Sequence, residues 1–120
     1  MSHRPVHLLI EDIWESIEKI ERFVLGFDRE AFRRDDKTVD SVVRNLEIIG
    51  EAANRLPEDF KSIHSKIGWS RIVGLRNRIV HDYFGIDLEI IWEILQKELP
   101  DFKAKVSAIR QELKLKSNEG

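Results

Sequence analysis

The chain reads as an all-α bundle of four to five helices, and three observations predict it. Apolar residues recur at three- and four-residue steps along nearly the whole chain. No stretch alternates apolar and polar with the period of two that a half-buried strand requires. Glycine, proline and aspartate fall at the ends of the periodic stretches, where helices start and stop. A length of 120 residues allows one domain with a real core but not two. We expect that domain over residues 1–115 and a polar tail over 116–120.

Val6, Leu9, Ile10, Ile13, Ile17, Ile20, Val24 and Leu25 form the stripe of a first helix, closed by Gly26. Asp28 caps a short turn through Phe32, and the charged run Arg33-Arg34-Asp35-Asp36 breaks the chain. A second long helix begins near Thr38, carries Val39, Val42, Val43, Leu46, Ile49, Ala53 and Leu56 on one stripe, and ends at Pro57. Gly50 inside it costs about 1 kcal/mol against alanine, so another helix is expected to approach closely there. Residues 58–67 read as a short helix and connector. Ser70 is expected to cap a helix with Ile72, Leu75, Ile79 and Tyr83 on one face, broken by Gly85. Asp87 caps the last helical run, with Leu88, Ile91, Trp92 and Leu95 inward and a kink or restart at Pro100. From Leu113 onward the chain is polar, and fraying is expected.

Composition narrows the function classes. The chain is 42% hydrophobic and 35% charged, a patterned globular composition rather than a disordered one. With no cysteine, disulfides, thiolate catalysis and cysteine metal sites are excluded. Neither a signal-peptide core nor a run of membrane-spanning length is present, so a cytoplasmic protein without membrane contact is expected. A net charge of −2 argues against broad coating of nucleic acid. Any nucleotide or RNA contact must therefore be local.

One local exception stands out. From Phe60 to His81 the chain carries Lys61, Lys66, Arg71, Arg76 and Arg78 and no acidic residue. The stretch ends in Arg76-Asn77-Arg78-Ile79-Val80-His81-Asp82-Tyr83, which can hold a phosphate and supply a group that moves protons near neutral pH. On a regular helix Arg76 and His81 diverge by roughly 140°, whereas Asn77 and His81, or Arg76 and Tyr83, share a face. Either the helix distorts near Val80, or two copies of the chain each supply part of one site; the second is favoured because twofold dimers are the commonest oligomers. Each residue also has an ordinary reading. Arg78 is by default solvated or ion-paired, His3, His7 and His64 are ordinary surface or core groups, and Tyr83 continues an apolar stripe. The acidic stretch from Asp82 to Asp101, with Lys97 its only base, reads as a solvated face or a partner surface. No His-x3-His pair or carboxylate cluster at ligand spacing suggests a metal.

Arg-x4-His-x-Tyr, here Arg76, His81 and Tyr83, resembles the motif of HepT-type toxins of the HEPN superfamily. Three flanking blocks resemble the family in the same order, and together they cover most of the chain. They are residues 42–52 (VVRNLEIIGEA), residues 69–77 (WSRIVGLRN), and residues 87–92 (DLEIIW) followed by Leu99-Pro100. A bare Arg-x4-His arises often by chance. The same spacing with Asn77, Tyr83 and three ordered blocks does not.

The resemblance implies a homodimer whose paired motifs line a cleft, acting as a metal-independent endoribonuclease without a cofactor. It further implies a type VII-like toxin–antitoxin pair, whose partner is a minimal nucleotidyltransferase antitoxin that transfers AMP units to the motif tyrosine in some members. On that footing Arg76, His81 and Asn77 are the expected catalytic residues and Tyr83 the expected modification site. Arg78, Arg71 and Lys66 are the expected RNA-binding cations. The residue chemistry agrees with these roles. A histidine has a reference pKa of roughly 6.5 and can move the proton of a ribose 2′-hydroxyl. An arginine fork stays charged and matches phosphate oxygens, and Asn77 can orient His81 or hold a phosphate oxygen. The alternative is a non-catalytic helical subunit that binds nucleotide or substrate for a nucleotidyltransferase. The intact Arg76, Asn77 and His81 set favours the enzyme. Whether the RNA is tRNA or mRNA stays open.

Overall fold

The computed structural model describes residues 3–81 and 85–119, with the backbone alone for His81 and residues 117–119. Helix α1 (Val6–Val24) buries Leu9, Ile10, Ile13, Ile17 and Ile20, the three-four stripe of its sequence. It packs along α3 (Asp36–Arg55) and against α8 (Leu99–Glu119). Between α1 and α3, α2 (Arg29–Arg34) plugs the end of the bundle with Phe32, which is fully buried and lies 5.4 Å from the Trp92 ring. Asp28 accepts from the Ala31 N–H and Asp35 from the Thr38 N–H, caps that contribute about 1 kcal/mol each.

After Pro57 the chain runs through α4 (Glu58–Ile63), α5 (Trp69–Val73) and α6 (Leu75–Ile79). The close helix approach expected at Gly50 is present. A Cβ there would stand 3.1 Å from the Ile72 carbonyl oxygen and 3.4 Å from that of Val73, so a larger residue would require α5 to give way from α3 by a few tenths of an ångström. Trp69 anchors the start of α5: its indole N–H donates to the His64 carbonyl and its ring meets Phe102 edge-on.

The region that carries the motif differs from expectation. The helix starts at Trp69 after Gly68, so Ser70 lies inside it rather than at its cap. It divides at Gly74 and then ends at Ile79, because Val80 is extended with φ −110° and ψ 122°. Two short strands follow, β1 (Val80–His81) and β2 (Gly85–Ile86), paired antiparallel with Val80 opposite Ile86 and His81 opposite Gly85. Gly85 has φ +76°, a conformation other residues rarely adopt. The Asp87 N–H then donates to the Ile79 carbonyl, closing the excursion at the base of α6.

The last helical run begins at α7 (Leu88–Glu93), capped by the Asp87 carboxylate, which accepts from the Ile90 N–H. It widens to a π turn over Ile94–Glu98 and continues as α8. Pro100 gives the physical reason. Without an N–H it leaves the Gln96 carbonyl without its α-helical donor, and its ring crowds that carbonyl. The ladder relaxes, with the Leu99 N–H reaching back five residues to the Ile94 carbonyl. The kink expected at Pro100 is therefore a π turn just before it. Helical backbone persists to Glu119, beyond the point where fraying was expected. The described residues thus hold seven helical runs rather than four to five, since the short ones around the motif are separate pieces.

Candidate functional site

Helix α6 presents its cations to opposite sides. Arg76 and Asn77 are exposed and look onto a groove of about 310 Å³ between α6 and α3, which Glu47, Gly50, Glu51, Asn54 and Val73 complete. The Arg76 guanidinium has no hydrogen-bond or ion-pair partner among the described residues. Leu75 and Ile79, 3% and 0% exposed, hold α6 in the core.

Arg78 points the other way. Its guanidinium makes two parallel bonds to Glu98, 2.6 and 3.0 Å, and Arg71 adds a third at 3.3 Å. Arg78 and Glu98 side chains are 24% and 33% exposed, against 62% for Arg71. The Arg78 hydrogen bonds hold the Glu98 carboxyl below the usual carboxylate range, partial burial opposes this, and the charges of Arg78 and Arg71 add to the depression. A second groove, about 590 Å³, runs along this side, lined by Arg71, Arg78, Ile90, Glu93, Ile94, Lys97 and Glu98.

The nominated residues therefore separate. Arg76 and Asn77 stand together over the α3 groove. The His81 backbone follows directly on the extended strand, while its side chain and all of Tyr83 lie outside the described residues. The helix gives way at Val80, so no single helix carries both Arg76 and His81, and their divergence on a regular helix gives no reason for a dimer. Arg78 and Arg71, expected to contact RNA, are paired with Glu98. Lys66 is exposed, lines neither groove, and its carbonyl accepts from the Lys105 ammonium. Reading the sequence alone missed Glu98. The signal was available: a stretch with five cations and no acid needs carboxylates from elsewhere, and residues 82–101 are rich in them. That acidic stretch is in part an internal counter-charge, since Glu89 pairs with Arg29 and Arg33 in the same way.

Among the described residues no group of three or more His, Asp or Glu side chains could hold a metal ion. None of the described helices is long and apolar enough to cross a membrane.

A family-wide sequence model described as Ribonuclease HepT-like matches residues 13–109, which include α3, the split motif helix and most of the last helical run. The chain belongs to the HepT-like family of the HEPN superfamily. It is 40% identical over 102 residues to a protein of Thermococcus cleftensis named probable ribonuclease HepT, covering 85% of this chain and 93% of that one. It is 28% identical to the mRNA nuclease HepT of Shewanella oneidensis, over 86% of this chain and 94% of that one. A solved structure of a tri-AMPylated HEPN toxin from Shewanella oneidensis, in complex with its MNT antitoxin, superposes with a TM-score of 0.61. That match has 26% identity and covers 90% of this chain and 98% of the other. HepT-like membership was legible in the motif and its flanking blocks, and the distortion near Val80 is the less favoured of the two alternatives drawn from the spacing; the division at Gly74 was not legible.

Proposed function

We propose that this chain is an endoribonuclease toxin, with Arg76, Asn77 and His81 as the catalytic group. One observation carries the reading beyond family membership. Among the described residues the exposed Arg76 guanidinium has no partner over its groove, while its neighbours Arg71 and Arg78 share the Glu98 carboxylate. An arginine kept free of carboxylates is available for a phosphate. In the reaction the ribose 2′-hydroxyl loses its proton and attacks the adjacent phosphorus. The bond to the 5′ oxygen breaks, leaving a 2′,3′-cyclic phosphate and a 5′-hydroxyl. His81 would move the proton, Arg76 would face the extra charge of the phosphorane, and Asn77 would orient one of them. No step uses a metal. Two chains would bring their Arg76–Tyr83 segments together across one cleft.

Control would come from a nucleotidyltransferase antitoxin, as the related toxin in complex with an MNT antitoxin suggests. The Tyr83 oxygen would attack the α-phosphorus of ATP and release pyrophosphate, and the bound AMP would put negative charge beside Arg76. Induced expression tests the catalytic claim. The wild type should arrest growth and degrade RNA, whereas Arg76→Ala and His81→Ala should do neither; arrest by His81→Ala with RNA loss at the wild-type pace would refute it. Intact mass after incubation with the antitoxin and ATP tests the control. We expect increments of AMP on the wild type and none on Tyr83→Phe.

A further inference from the structure

We propose that Glu98 is a positioning residue for the α6 site: the π turn delivers its carboxylate to Arg78, and this clamp holds α6 so that Arg76 and Asn77 face the α3 groove. The activity readout of this inference rests on the ribonuclease reading above.

The clamp has its origin at Pro100. The missing N–H favours a π turn over Ile94–Glu98. The extra residue in that turn rotates later side chains by about 100° relative to an unbroken α-helix, and Glu98 is the last residue within it. Its carboxylate meets the Arg78 fork with both oxygens, at 3.0 and 2.6 Å, in the bidentate geometry that fixes orientation as well as distance. Arg78 lies in the final turn of α6, one residue before Ile79, where the helix ends and the extended strand to His81 begins. A helix of five residues has almost no stability of its own. Leu75 and Ile79 fix its depth in the core, but apolar contacts are non-directional. The ion pair supplies the direction. Because Arg76 and Arg78 lie roughly 200° apart on the helix, turning α6 about its axis would move Arg76 out of its groove.

On this account Arg78 serves the site through Glu98 and does not hold RNA itself. Steady-state cleavage of a fluorogenic single-stranded RNA, with EDTA present, separates these roles. Glu98→Gln keeps the shape and removes the charge. It should lower kcat by about tenfold or more, since misplacement by about 1 Å can cost a hundredfold, and leave KM within about twofold. Arg78→Glu should do the same, and the swapped pair Arg78→Glu with Glu98→Arg should recover most of the loss. A rise in KM with unchanged kcat in Arg78→Glu would show an RNA contact and overturn the proposal. So would wild-type kcat in Glu98→Gln, or a swap no better than Arg78→Glu alone. Amide hydrogen exchange gives a readout independent of activity. Glu98→Gln should speed exchange at residues 78–80 while α1 and α3 keep their protection. If the wild type cleaves no RNA, the ribonuclease reading fails and exchange alone decides the clamp; unchanged exchange at residues 78–80 would then overturn it.

Discussion

Two grooves flank α6, and they treat its arginines in opposite ways. On the α3 side Gly50 brings the backbones close, and Arg76 and Asn77 lie exposed over Glu47, Glu51 and Asn54, with no bonded carboxylate among the described residues. On the π-turn side Arg78 and Arg71 share the carboxylate of Glu98. The two arginines of Arg76-Asn77-Arg78 are two residues apart in a segment with no acid, yet one is available and the other is committed. Charge counted along a sequence is not charge offered to a ligand; the difference is made by a carboxylate about twenty residues later.

Alanine at each arginine should break this comparison open. Arg76→Ala should cost on the order of 10²–10³ in cleavage rate, as loss of one charge-stabilising donor does, and shift stability by no more than about 0.5 kcal/mol. Arg78→Ala should cost about tenfold in kcat through the lost clamp and, unlike Arg76→Ala, also lower stability by about 1 kcal/mol, as loss of a bidentate, partly exposed pair. Thermal unfolding beside RNA cleavage measures both; equal stability losses would erase the distinction.

Gly50→Val sharpens the α3 side. The added branches meet the Ile72 and Val73 carbonyls, which are backbone and cannot rotate away. A destabilisation of about 1–3 kcal/mol is expected, readable in urea titration, with activity falling alongside. A variant as stable as the wild type would show that α5 moves freely and that the close approach has no structural role.

Acid titration reports on the other groove. The folded Glu98 carboxyl sits below its ordinary range, chiefly through the Arg78 hydrogen bonds. Its contribution is therefore complete above the unfolded carboxylate pKa and is lost as pH falls from there through the lower folded value. Glu98→Gln should remove that part of the acid-side loss and leave the neutral-side curve parallel to the wild type. Arg71→Ala should be the smallest effect, at most about 0.5 kcal/mol, because its pair is solvent-screened at 62% exposure.

The long helices were legible because periodicity, caps and burial agree. Every stripe residue named for α1 up to Ile20 except Val6 is buried, and Asp28 and Asp87 accept from backbone N–H groups at helix starts as expected; the Asp35 cap, which starts α3 at Asp36 rather than near Thr38, was hidden in a charged run. Gly50 was legible too, since an interior glycine needs a reason. The motif was readable as residues but not as geometry. Its apolar spacing at Ile72, Leu75 and Ile79 fits one helix, and what divides it is tertiary: Gly74 at the junction, the strand pairing of Val80 with Ile86, and the Asp87 N–H on the Ile79 carbonyl. Pairing across 20 residues, as between Arg78 and Glu98, leaves no periodic trace.

The most direct test of the central claim is cleavage of RNA by the purified chain with EDTA present, wild type beside Arg76→Ala and His81→Ala. The account predicts products ending in 2′,3′-cyclic phosphate from the wild type and a loss of at least about a hundredfold in each variant. Cleavage by either variant at the wild-type rate, or none by the wild type until a divalent metal is restored, would contradict it.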